Sequence, residues 1–95
     1  MDTTKGSFVW DRQKEILNIE KHGVDFMTAA KVFIDPTRKI FKDEKHSQNE
    51  PRLFCVGKVN NKILTVRFVY SEEKIRIFGA GCWRKGARYY EEKDK

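Results

Sequence analysis

No stretch of this sequence is apolar enough to cross a bilayer, which takes about 20 residues. The opening MDTTKGSFVW has neither an apolar core nor a cleavage site. A cytoplasmic protein without a secretory signal and without membrane contact is therefore expected. Cysteine is scarce: Cys55 and Cys82 stand alone, with no C-x-x-C spacing and no histidine pattern beside them. That argues against a zinc finger. Two buried or half-buried free thiols in a reducing compartment are expected, with one disulfide between them as the alternative. Histidine is equally sparse, and no carboxylate–histidine cluster suggests a metal or any other cofactor. With two prolines, no linker, no internal repeat and no low-complexity tract, residues 1–95 read as one domain.

Against these absences, apolar residues make up 39% and aromatics 13%, enough for a modest core despite 36% charged residues. The net charge of +6 is uneven. Residues 1–35 hold five Lys/Arg and six Asp/Glu, residues 36–73 eight and five, and residues 74–95 seven and three. The positive excess thus lies in the second half, as expected for a surface that meets nucleic acid or an acidic protein.

Local signals define the elements. Asp11 can cap a helix from Arg12 to about His22, ended by Gly23. Ile16, Leu17 and Ile19 supply its apolar stripe, while Lys14, Glu15, Asn18 and Glu20 face water. Asp25 caps a second helix that buries Phe26, Ala29, Ala30, Val32 and Phe33 and stops at Asp35-Pro36. Residues 1–7 read as a loose terminus, and Phe8–Trp10 as an apolar patch that could form an edge strand. Short strands follow at Arg38–Lys42, Arg52–Val59, Lys62–Tyr70 and Lys74–Ala80, with turns at Asn60-Asn61 and Glu72-Glu73. The last helix runs from Trp83 to about Lys93. The result is an α+β domain: two N-terminal helices packed on an antiparallel sheet of about four strands, then a C-terminal helix.

The Glu72-Glu73 turn sets Ser71 opposite Lys74, Tyr70 opposite Ile75, Val69 opposite Arg76 and Phe68 opposite Ile77. Arg67 and Arg76 then share the face away from Val66, Phe68, Tyr70, Ile75 and Ile77. Two guanidiniums so close repel unless an anion lies between them, and a phosphate fits. The same pattern also suits two solvated arginines on the wet side of a sheet.

The order of short motifs resembles the BrnT family of bacterial toxins. The matching residues are Phe8-x-Trp10-Asp11, Lys21-His22-Gly23-Val24, Ala29-Ala30-x-Val32-Phe33-x-Asp35-Pro36, Asp43-x-x-His46-Ser47, Arg52 before a strand ending near Gly57, Ile75-Arg76-Ile77 and Tyr90-Glu91. The resemblance implies a RelE-like fold and a metal-independent ribonuclease toxin of a type II toxin–antitoxin system. It implies neutralisation by a BrnA-like antitoxin of ribbon-helix-helix type, through which alone the complex meets operator DNA. After Ile77 the chain departs from the commoner Ser-Ala-Arg run: it has Gly79-Ala80-Gly81-Cys82-Trp83-Arg84-Lys85-Gly86, with Gly81 in place of the usual arginine. Arg67, Arg84 and Lys85 are read as supplying the lost charge.

Cleavage at the 2′-hydroxyl needs a proton acceptor, stabilisation of phosphate charge and a proton donor to the leaving oxygen. The candidate catalytic residues are His22, because an unperturbed imidazole is the side chain that changes charge near physiological pH, Arg67 and Arg76 for the phosphate, and Tyr90 to orient substrate or stack a base. Lys21, His46, Arg84, Lys85 and Arg88 are candidates for contacting RNA, and Trp83 could stack a base. A non-catalytic basic module that docks protein or nucleic acid within a repressor complex remains the competing reading.

Overall fold

The computed structural model describes residues 1–47 and 49–92. In chain order these form β1 (Asp2–Lys5), β2 (Phe8–Asp11), α1 (Arg12–His22) and α2 (Phe26–Ala30), which runs into a 3-10 turn at Lys31–Ile34. Then come β3 (Lys39–Lys42), a 3-10 turn at Glu44–His46, β4 (Leu53–Val59), β5 (Lys62–Ser71), β6 (Lys74–Gly81) and α3 (Arg84–Glu91). No helix among the described residues is long and apolar enough to cross a membrane.

The short-range signals act as their chemistry dictates. The Asp11 carboxylate accepts from the Lys14 N–H at 3.1 Å and starts α1; Gly23, at φ 71°, closes it with its N–H on the Ile19 carbonyl. Asp25 caps α2 through the Thr28 N–H and hydroxyl. Asn60 and Asn61 have φ of 51° and 67°, and Glu72 and Glu73 have 52° and 64°. Both pairs are two-residue turns whose twist suits antiparallel strands. Glutamate has no intrinsic taste for that region, so strand pairing on both sides holds the second turn. The register after it runs Ser71↔Lys74, Tyr70↔Ile75, Val69↔Arg76 and Phe68↔Ile77, as the alternation requires.

The sheet is larger than the four antiparallel strands expected. It has six, in the order β1-β2-β6-β5-β4-β3, and it is mixed, because β2 runs parallel to β6. Residues 2–5 are not a loose end: they pair with β2, and their polarity gave no alternation to read. The second N-terminal helix is only five residues long before it tightens into the 3-10 turn. That turn and α2 cover one sheet face, over a core of Trp10, Phe26, Ala29, Val32, Cys55, Leu64, Val66, Phe68, Ile77 and Ala80. The other face is covered in part by α3, packed on β4 and β5. Gly86 makes that seat: a Cβ there would stand 1.8 Å from Thr65 Oγ1.

α1 is turned the opposite way from its apolar pattern. Glu15 and Asn18 are buried, 4% and 7% exposed, while Leu17 is 60% exposed and Ile16 and Ile19 face outward with it. The cause is an unpaired strand edge. Pairing of β2 with β6 ends at Trp10↔Ile77, so the backbone of β6 beyond that point needs another partner. Asn18 supplies it: its Nδ2 donates to the carbonyls of Ala80 and Val24, at 2.9 Å each, and its Oδ1 accepts from the Ala80 N–H at 3.1 Å. Glu15 does comparable work one turn earlier. It accepts from Trp10 Nε1 at 3.0 Å, from the Phe26 N–H at 3.0 Å and from Arg12 at 2.9 Å.

Candidate nucleic-acid groove

The clamp at Asn18 holds α1 beside β6 and opens a groove on the sheet face opposite the core. Its walls are Lys14, Leu17, Lys21 and His22 of α1, Arg52 just before β4, Arg67 of β5, Phe78 and Gly79 of β6, and Trp83 just before α3; its volume is about 330 Å³. Among the described residues, four cations and a histidine line it, and no carboxylate does.

A β-bulge builds its floor. Pairing of β5 with β6 slips between Phe68 and Arg67, so that Arg67 lies opposite Gly79 and Phe78 is the extra residue. The Arg67 stem lies over Gly79, close enough for ordinary contact with a side chain there. The Phe78 ring carries two guanidiniums, with Arg52 Cζ 4.8 Å and Arg67 Cζ 5.4 Å from its centroid. Neither arginine has an ion-pair partner among the described residues. Arg67 Nε is buried and has no hydrogen-bond partner among the described residues. Two forked cations on one aromatic ring, with no ion-pair partner among the described residues, have the chemistry to receive an anion.

His22 meets Trp83 edge to face, ring centroids 5.2 Å apart. Trp83 in turn lies on Gly81, where a Cβ would be 2.7 Å from the indole Cε2. The indole therefore fills the space of a side chain at position 81.

A second hollow adjoins this groove through a shared wall. Arg52 also lines a space of about 270 Å³ with Lys45, His46, Asn49 and Glu50. His46 Nδ1 is 2.9 Å from Oδ2 of the buried Asp43. Ser47 ties the loop shut: its hydroxyl donates to the Asp43 carbonyl and accepts from the Arg52 N–H.

Of the residues singled out in the sequence, Lys21, His22 and Arg67 meet in the groove and His46 stands next to it. Arg76 does not join Arg67 around an anion. Its guanidinium makes two bonds to Asp2, at 2.7 and 3.2 Å, and that fork holds the Asp2 carboxyl below its usual range. The shared face was legible; the partner, 74 residues away, was not. Tyr90 is also elsewhere: its hydroxyl donates to Asp35 at 2.7 Å and lies 2.6 Å from the Thr37 hydroxyl. The Thr37 contact pulls the phenol down, but Asp35 and burial outweigh it, so the phenol rises above its ordinary value. Arg84, Lys85 and Arg88 are exposed on α3 and do not line the groove. Lys14, Arg52 and Phe78 had carried no assigned role. The run of small residues after Phe78 was the available sign of an irregular strand. The cysteines are both free, and Cys82 is exposed rather than half-buried. Among the described residues, no group of three His, Cys, Asp or Glu side chains gathers as metal ligands would.

No curated protein matches the chain. A family model described as ribonuclease toxin, BrnT, of type II toxin–antitoxin system matches residues 10–86. Over that span lie α1, the clamp at Asn18, the bulge and every wall of the groove. The chain belongs to the BrnT family of type II toxin–antitoxin ribonuclease toxins, and that membership implies an antitoxin partner.

Proposed function

We propose that this protein is a metal-independent endoribonuclease and that the groove between α1 and the bulged end of β6 binds its RNA. The observation that carries the reading is the pair of acid-free guanidiniums, Arg52 and Arg67, on Phe78. A scissile phosphate between them would receive charge-assisted hydrogen bonds that strengthen as the phosphorane gains negative charge. Lys14 and Lys21 follow the backbone on either side. Trp83 offers a ring for a base next to His22, whose imidazole can give or take a proton. Arg76 and Tyr90 serve the fold in this reading, the first by tying β1 to β6 and the second by tying α3 to Asp35.

A BrnA-like antitoxin of ribbon-helix-helix type would neutralise the toxin and carry the complex to operator DNA. The test is cleavage of a mixed-sequence RNA by purified protein in EDTA, with R52A and R67A beside the wild type. The expected result is cleavage by the wild type in chelator and a loss of about 100-fold or more in each variant, the usual scale for a lost transition-state contact. Unchanged cleavage in both variants would move the site elsewhere. Intact RNA with the wild type would leave the competing reading, a non-catalytic basic module.

A further inference from the structure

Resting on the ribonuclease reading, we propose that His46 is the general base of the reaction, positioned by Asp43. A single histidine leaves the chemistry half staffed. In-line cleavage takes a proton from the 2′-hydroxyl on one side of the phosphorus and gives one to the 5′-oxygen on the other. His22 lines the groove and His46 lines the adjoining hollow, and Arg52 is common to both.

The Asp43 carboxylate can only accept, so the proton it shares at 2.9 Å sits on His46 Nδ1. That choice of tautomer leaves Nε2 as the basic nitrogen of the neutral ring, and Nε2 has no partner among the described residues. Asp43 is buried and its backbone is fixed at both ends, by its N–H on the Arg52 carbonyl and by Ser47 on its own carbonyl. The loop that holds the histidine is thus fastened to the first residue of the phosphate clamp. The other charged groups of the hollow are Lys45, Glu50 and Arg52.

The step is as follows. Nε2 of His46 takes the 2′-hydroxyl proton as that oxygen bonds to phosphorus. The bond from phosphorus to the 5′-oxygen breaks, and the leaving oxygen takes a proton from His22. The products are a 2′,3′-cyclic phosphate and a 5′-hydroxyl, with no oxidant, reductant or water consumed.

The experiment compares wild type, H46A, H46Q and D43N on a mixed-sequence oligoribonucleotide, with binding measured on the same oligomer carrying 2′-deoxy sugars. H46A and H46Q are expected to cut about 100-fold or more slowly, to bind the uncleavable oligomer as the wild type does, and, for H46A, to recover cleavage when imidazole is added. D43N is expected to lower kcat with KM unchanged. Wild type that cuts while H46A and H46Q, both folded by circular dichroism, cut equally well overturns this inference and leaves the ribonuclease reading standing. Loss of binding to the 2′-deoxy oligomer in both variants, without imidazole rescue, overturns it in favour of a contact role for His46. Wild type that cuts no RNA overturns both.

Discussion

The inverted face of α1 gives the sharpest test, because adjacent residues must respond in opposite ways to the same change. Asn18→Ala removes three hydrogen bonds of 2.9, 2.9 and 3.1 Å and leaves two buried carbonyls and one buried N–H unanswered. At about 1 kcal/mol net for each bond, the expected cost is about 3 kcal/mol. A domain of this size has about 5–15 kcal/mol in total, so the variant stays folded at room temperature. Its Tm should fall by roughly 12–24 °C, at about 4–8 °C per kcal/mol. Leu17→Ala, one residue earlier and 60% exposed, should cost no more than about 0.5 kcal/mol. Urea denaturation of the two variants beside the wild type, read by tryptophan fluorescence, measures both numbers. Residue type alone would give the reverse order. If L17A costs as much as N18A or more, α1 does not lie against β6 through its polar side, and the groove described here is wrongly built.

Three further outcomes are expected. Gly86→Ala drives a methyl group into Thr65 Oγ1, and should cost about 1–3 kcal/mol as overpacking does, visible as a lower urea midpoint. Burial raises the Asp35 carboxyl, but hydrogen bonds from Tyr90, the Lys58 N–H and Thr37 outweigh it and hold the group well below the usual carboxylate range. A depressed carboxylate stabilises the fold above its unfolded value of about 3.9 and ceases to as pH falls through the folded value. The stability gap between wild type and D35N should therefore be full at pH 7 and shrink progressively below about pH 4, as urea midpoints across that range would record. Burial pushes the Cys55 thiol up to about 12, whereas Cys82 is exposed. A thiol reagent at pH 8 should consume one equivalent in the native protein and two after unfolding; two equivalents at once in the native state would contradict the burial of Cys55.

What could be read in advance was whatever a few neighbouring residues decide. Asp11, Gly23, Asp25, Asn60-Asn61 and the register after Glu72-Glu73 act within a turn or a strand pair, and their chemistry is visible in a short window. Lys21, His22 and Arg67, singled out by residue type, do line one groove. The rest depends on distant pairings. Asp2 meets Arg76 only because β1 closes the far edge of the sheet. Asn18 is buried because β2 stops short of the end of β6, and Glu15 because the Trp10 indole and the Phe26 N–H need an acceptor; no property of a lone helix records either. Arg52 reaches Phe78 only after a bulge slips one strand past another by a residue. Where the deciding interaction spans tens of residues, side-chain type predicts the wrong face or no role at all.

The carboxamide of Asn18 addresses only main-chain atoms, the carbonyl of Val24 and the N–H and C=O of residue 80, and every amino acid except proline presents that same N–H and C=O. Substitutions along the closing strand therefore need not loosen the helix that rests on it, provided residue 80 stays small. An unusual motif along β6 thus alters the side chains that line the groove while the Asn18 bonds to the backbone of residue 80 stay available.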